Sequence, residues 1–111
     1  MKKLILLMVL LMSNVCFAGA KECNSIVKRI DPLMREYIKM RWTMHAMDVQ
    51  TLIKDYGSIE RATVRGIALT LQLSRIFEKA IKLTPKCDYY SSKKWKATTV
   101  YSNKLKNKYG F

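Results

Sequence analysis

One stretch, Ile59 to Leu83, constrains this chain more than any other. Ile59, Ala62, Gly66, Leu69, Leu73, Ile76, Ala80 and Leu83 recur at alternating spacings of 3 and 4 without a break. That period is the seam of an α-helix packed lengthwise on a second helix. Ser58 stands at the N-cap position, and Thr84-Pro85 closes the far end.

The partner precedes it. From Pro32 to Tyr56 one apolar stripe runs through Met34, Ile38, Arg41, His45, Val49, Leu52 and Tyr56. A second runs beside it through Leu33, Tyr37, Met40, Met44 and Met47. A face that wide buries more than one side of a helix. Gly57-Ser58 is too short a connection for anything but an antiparallel pair. Each helix has about 25 residues, roughly 37 Å of length. Ala62, Gly66 and Ala80 let the two approach closely. Upstream, Ile26, Val27 and Ile30 predict a short helix over 21–30. Asp31-Pro32 is expected to interrupt it, with Asp31 capping the helix that Pro32 begins.

Cys23 lies before the first long helix and Cys87 just beyond the second. An antiparallel hairpin brings both to its open end, where a disulfide clamps the termini that fray. The expected fold is therefore all-α: an antiparallel helical hairpin stapled by one disulfide, with a short N-terminal helix and a basic C-terminal segment.

The chain divides at 18 and at 87. In 1–18, Lys2-Lys3 precede an apolar run, Leu4 to Val15, followed by the small-residue patterns Cys16-Phe17-Ala18 and Ala18-Gly19-Ala20. This reads as a secretory signal peptide, with an uncleaved signal anchor as the alternative. Val15 does not fit lipoprotein processing at Cys16, which takes a small residue there. Export places the protein in the periplasm or outside the cell and makes the pairing of Cys23 with Cys87 chemically sustainable. The disulfide-closed hairpin spans 19–87. The last segment, 88–111, interleaves Lys93, Lys94, Lys96, Lys104, Lys106 and Lys108 with Tyr89, Tyr90, Trp95, Tyr101, Tyr109 and Phe111. Its aromatic face predicts a third helix, packed less tightly than the hairpin.

Charge narrows the function. The chain carries 21 lysines and arginines against 8 acids; without Lys2 and Lys3 its net charge is +11. In an exported protein such a surface addresses an acidic envelope protein or anionic lipid headgroups, unless it is simply a solvated face, and nucleic acid is not expected. The single histidine, His45, lies on an apolar stripe without the ligand partners a metal site needs, and reads as a packed or capping residue. The mature methionines belong to the core or to an adaptable contact surface. There is no phosphate-binding glycine loop, no nucleophile with a base and no paired carboxylates. No cofactor, metal or enzymatic activity is expected.

Two surfaces are the candidates for binding. On the second long helix, Arg65, Arg75, Lys79 and Lys82 lie outside the seam and point to a protein partner. In the C-terminal segment, Trp95, Tyr101, Lys93, Lys94 and Lys96 suit a membrane surface or a partner. The Met-rich stripe could also accept a partner's helix.

Asp31-Pro32 opening an amphipathic helix, followed by Arg65-Gly66 and Arg75-Ile76 on a later one, resembles the rapid-lysis antiholins (RI proteins) of T-even-like phages. These are small exported helical proteins. Cys23 and Cys87 lie elsewhere than that family's cysteines, and the basic aromatic segment is additional. The resemblance implies binding to the periplasmic domain of a holin, which delays lysis, with Arg65 and Arg75 at the matching positions. Otherwise the same architecture fits a periplasmic immunity protein, a plasmid-transfer accessory protein or, in a different class, a membrane-active basic helical protein.

Overall fold

The computed structural model describes residues 2–85 and 87–111, with side chains described from Lys21 onward. Four α-helices and one short 3-10 turn make up the described chain: α1 Lys2–His45, α2 Val49–Tyr56, α3 Ile59–Leu83, the turn Tyr89–Ser91, and α4 Lys93–Lys108. The fold is all-α, as expected. The expected signal segment, 1–18, has helical backbone from Lys2 onward, but its side chains lie outside the described residues. Among the described residues no helix is long and apolar enough to cross a membrane.

Asp31-Pro32 does not interrupt the helix. α1 runs through Pro32, so the expected short helix over 21–30 is one part of a longer one. A proline inside a helix removes one backbone bond and clashes with the preceding turn, at a cost of about 3 kcal/mol. Packing on both sides of it outweighs that cost. Val27, Ile30 and Met34 follow one another on one face and are all buried, together with Leu73 of α3 and Tyr89 of the 3-10 turn. A break at Asp31 would take this face apart. Asp31 is itself buried and caps nothing; its carboxylate is bonded to the C-terminal segment.

The real break lies further on, at Ala46 to Asp48. The amide of Asp48 donates to the Thr43 carbonyl and that of Met47 to the Met44 carbonyl. Met47 takes the left-handed conformation, with φ 55°. This is a Schellman termination with methionine where glycine is usual. Asp48 then caps α2, accepting from the Thr51 amide at 3.2 Å and the Thr51 hydroxyl at 2.6 Å. The expected helix over 32–56 is thus two helices. A period of 3 and 4 continued across the break, because the chain changes direction without a change in its apolar composition.

Gly57 and Ser58 behave as the sequence indicates. Gly57 has φ 92° and its amide donates to the Ile53 carbonyl; Ser58 Oγ accepts from the Arg61 amide, opening α3. α3 pairs antiparallel with α1: Cys23 meets Cys87, Glu36 meets Arg65, and Met40 lies over Gly66. A Cβ at Gly66 would stand 3.0 Å from Met40 Sδ, which is the close approach the seam requires. Ala62, Leu69, Leu73 and Ala80 are buried in that seam, while its ends, Ile59 and Leu83, are exposed. Cys23 and Cys87 are bonded, with Cα atoms 5.4 Å apart.

The C-terminal segment is not loosely attached. Tyr89 is buried at 3% exposure and Thr98 at 0%. Contacts of Asp31 with Thr98, Arg35 with Tyr101, Trp42 with Ser102 and Asp48 with Tyr109 advance together along the chain. α4 therefore lies parallel to α1, on a side that α3 does not use. As expected, the segment is packed less densely than the hairpin: α4 buries only Thr98, whereas α3 buries Ala62, Leu69, Leu73 and Ala80. Its attachment rests on three buried or half-buried polar anchors, Asp31, Trp42 and Asp48, spaced along its length.

Candidate functional site

Two helices packed on different sides of α1 leave α3 covered on one side only. The consequence is a shallow groove between α1 and α3, about 370 Å³ in volume, lined by Tyr37, Met40, Met44, Gly66, Ile67 and Leu71, with Arg41, Thr63 and Thr70 also bordering it. Its lining is mostly apolar, and the two methionines are the unbranched, adaptable kind of side chain that accommodates a ligand surface. Gly66 deepens it. Ile67 and Leu71 carry the groove's border onto the outer face of α3, where Val64 joins them; their exposures are 59%, 53% and 66%. Scattered apolar side chains are ordinary on a surface, but contiguous ones on a single helix face mark contact sites.

The sequence indicated a mostly positive outer surface on α3. The middle of that surface is apolar instead, and the cations divide into paired and free. Arg65 is half-buried, and its Nε donates to both oxygens of Glu36, at 2.9 and 3.3 Å. It ties α3 to α1. Lys82 lies 3.6 Å from Glu78 on its own helix, where both are well exposed, so this pair contributes little. Arg75 and Lys79 have no ion pair among the described residues; with Arg29 they edge a second groove that contains Ile26, Ile76 and Leu83. The structure therefore groups Arg75 and Lys79, gives Lys82 a loose local partner, and places Arg65 within the hairpin.

On the C-terminal segment the aromatics and the lysines separate. Trp95 packs among Tyr89 and Tyr90, with ring centroids 5.7 and 4.9 Å away, and Tyr101 receives the Arg35 guanidinium 5.7 Å from its ring centre. Lys93, Lys94 and Lys96 remain exposed. The aromatic rings thus hold α4 to α1, and the lysines alone face outward. At the far end, Phe111 lies 5.9 Å from Trp42 and 4.6 Å from His45, ring to ring. His45 is a partner in this aromatic contact.

The polar anchor of the whole arrangement is Asp31. Its Oδ1 accepts from the Tyr89 hydroxyl at 2.9 Å and from the Thr98 hydroxyl at 2.8 Å, while Arg35 Nε stands 3.3 Å from Oδ2 without hydrogen-bond geometry. Burial, reinforced by the neighbouring carboxylate, pushes the Tyr89 hydroxyl up to about 12. A second anchor is Asp48, which the Thr51 and Tyr109 hydroxyls hold below the usual carboxylate range; the Tyr109 bond is 2.8 Å. Lys39 is raised by its 2.9 Å pair with Asp55, and Tyr56 by burial.

No cluster of three or more histidine, cysteine, aspartate or glutamate side chains that could hold a metal occurs among the described residues. Sequence reasoning missed Asp31 as an anchor, because its dipeptide with Pro32 looked like a cap. It also missed the outer apolar face of α3, although Val64, Ile67 and Leu71 recur at 3 and 4 beside the seam. Comparison with protein-family models, with curated proteins and with solved structures finds no match to this chain.

Proposed function

We propose that this protein is a small exported binding protein that regulates an acidic protein of the cell envelope by holding an amphipathic helix of it between α1 and α3. The observation that carries the reading is the Met40–Gly66 groove: an adaptable apolar trough on a rigid helix pair, with Arg41 at its edge. Such troughs take apolar side chains spaced along one face of a helix. The net charge, +13 for the full chain and +11 without Lys2 and Lys3, favours an acidic partner and speeds encounter with it. The exposed Lys93, Lys94 and Lys96 keep the protein near anionic headgroups, where such a partner resides. Within this reading, the likeness of Asp31-Pro32, Arg65-Gly66 and Arg75-Ile76 to the rapid-lysis antiholins supports a holin's periplasmic domain as the partner and delayed lysis as the outcome.

The test uses the full chain expressed in a bacterial host with a photo-crosslinking residue at Thr70. A single acidic envelope protein should be captured, and capture should disappear on Met44→Glu with helicity retained. Capture that is unchanged by Met44→Glu, or equally strong from a probe at Lys94, refutes the groove. Co-expression with a holin of a T-even-like phage tests the finer reading: lysis should be delayed, and unaltered lysis timing refutes it.

A further inference from the structure

We infer that two copies of this chain pair through the outer face of α3, antiparallel, about a two-fold axis passing between Ile67 and Ala68. The face is exposed, α4 lies on the other side of α1, and Ile67 and Leu71 are shared with the border of the Met40–Gly66 groove. Val64, Ile67, Ala68 and Leu71 form its centre, and Glu60 and Arg75 flank it. These six positions are symmetric. Reversing the helix about the midpoint of 67 and 68 exchanges Val64 with Leu71, Ile67 with Ala68, and Glu60 with Arg75. On a helical wheel of about 100° per residue, Val64 and Leu71 lie about 10° to either side of the same line, and Glu60 and Arg75 about 30° to either side of it.

Every antiparallel helix pair about a two-fold axis exchanges i with j in this way; what this sequence adds is that the exchange sets apolar side chains against apolar ones and Glu60 against Arg75. Here the exchange brings opposite charges together twice. Neither Glu60 nor Arg75 forms an ion pair within the chain among the described residues, so each is available for the other copy. Ala68, at the axis, keeps the two helices close. The apolar area is that of a single helix face, below what a permanent dimer buries, so the pairing is a reversible one. Two strongly basic chains repel at distance; the two Glu60–Arg75 contacts fix the register in which they tolerate each other.

The experiment uses the full chain, oxidised at Cys23–Cys87, with Ala68→Cys as a reporter at the axis and Gln72→Cys as a control off the face. Under mild oxidant, Ala68→Cys should give a disulfide-linked homodimer at least tenfold more abundant than Gln72→Cys gives. Adding Arg75→Glu places acids opposite each other and should lower the yield severalfold. Adding Glu60→Arg to that variant exchanges the charges and should restore it. Helicity by circular dichroism is checked for every variant. Equal cross-linking at 68 and 72, no dimer from a folded Ala68→Cys chain, a yield insensitive to Arg75→Glu, or failure of the double exchange to restore it overturns the pairing. So does linkage of the Ala68→Cys thiol to a different protein in preference to a second copy.

Discussion

Replacing Asp31 by alanine removes one carboxylate, leaves the buried Tyr89 hydroxyl without a partner and takes one of two acceptors from the Thr98 hydroxyl. Tyr89 and Thr98 are 3% and 0% exposed, so water does not take over. A hydrogen bond to a charged group is worth about 1.5–3 kcal/mol, and a buried donor left unmade costs about 1–3 kcal/mol. Thr98 keeps its bond to the Lys94 carbonyl at 2.8 Å, which softens its loss. The expected cost of Asp31→Ala is therefore about 3–5 kcal/mol. Asp31→Asn keeps an oxygen acceptor for both hydroxyls and loses the charge that faces Arg35, so about 1–2 kcal/mol is expected. The assay is urea unfolding at neutral pH with the disulfide intact, followed by far-ultraviolet circular dichroism. Tyr89→Phe supplies the second edge of a double-mutant cycle with Asp31→Ala, and a coupling of about 1 kcal/mol or more is expected. If Asp31→Ala costs under about 1 kcal/mol, or the cycle shows no coupling, the junction does not anchor the C-terminal segment.

Met47→Gly should stabilise the protein by roughly 0.5–1 kcal/mol, because it relieves the left-handed backbone and sacrifices a side chain that is 84% exposed; a loss of stability in urea titration would contradict the termination described. Reducing Cys23–Cys87 should cost about 4 kcal/mol by the chain-entropy relation, seen as a lower urea midpoint in reductant. Tyr89 titrates at about 12 when folded and near 10 when unfolded, so its contribution is complete below pH 10 and is lost as pH rises through 12. Stability of the wild type should fall over that window more steeply than that of Tyr89→Phe. Asp48 is depressed, so its contribution is present above the ordinary carboxylate pKa and is lost as pH falls through the folded value. Asp48→Asn should flatten the acid limb of the stability profile.

How much of this was legible before the structure follows from which signals were local. The seam of α3, its cap at Ser58 and the turn at Gly57 depend on neighbouring residues, and all three are where the sequence puts them. The cysteine pair follows from the hairpin geometry and is also as expected. Two punctuation signals misled. Asp31-Pro32 looks like a helix start, yet Ile30 at 1% exposure and Tyr89 at 3% show why long-range packing carries the helix through. Met47, an exposed methionine, gives no hint that the helix ends there. The Met-rich stripe was visible as a contact surface, but the groove depended on α4 choosing the other side of α1. That choice rests on pairs such as Asp31–Thr98 and Trp42–Ser102, separated by 67 and 60 residues, which no local pattern encodes. Arg65 was readable as a cation and not as the partner of Glu36, for the same reason.

The parallel course of α4 beside α1 has a kinetic consequence. α4 adds only Trp95 to the core that α1 and α3 share, and Ala62, Leu69 and Ala80 are buried in α3 as well, so α4 can detach while most of the hairpin's packing stays intact. Cys87, bonded to Cys23, holds the root of that segment against α1 a few residues before Lys93. Re-docking is then intramolecular, at an effective concentration of about millimolar, typical of a short tether. Native-state hydrogen exchange should divide the molecule accordingly: the amides of α4 exchange together at a lower opening free energy than those of α3. Reduction of the disulfide, by lengthening the tether, should widen the gap between the two classes.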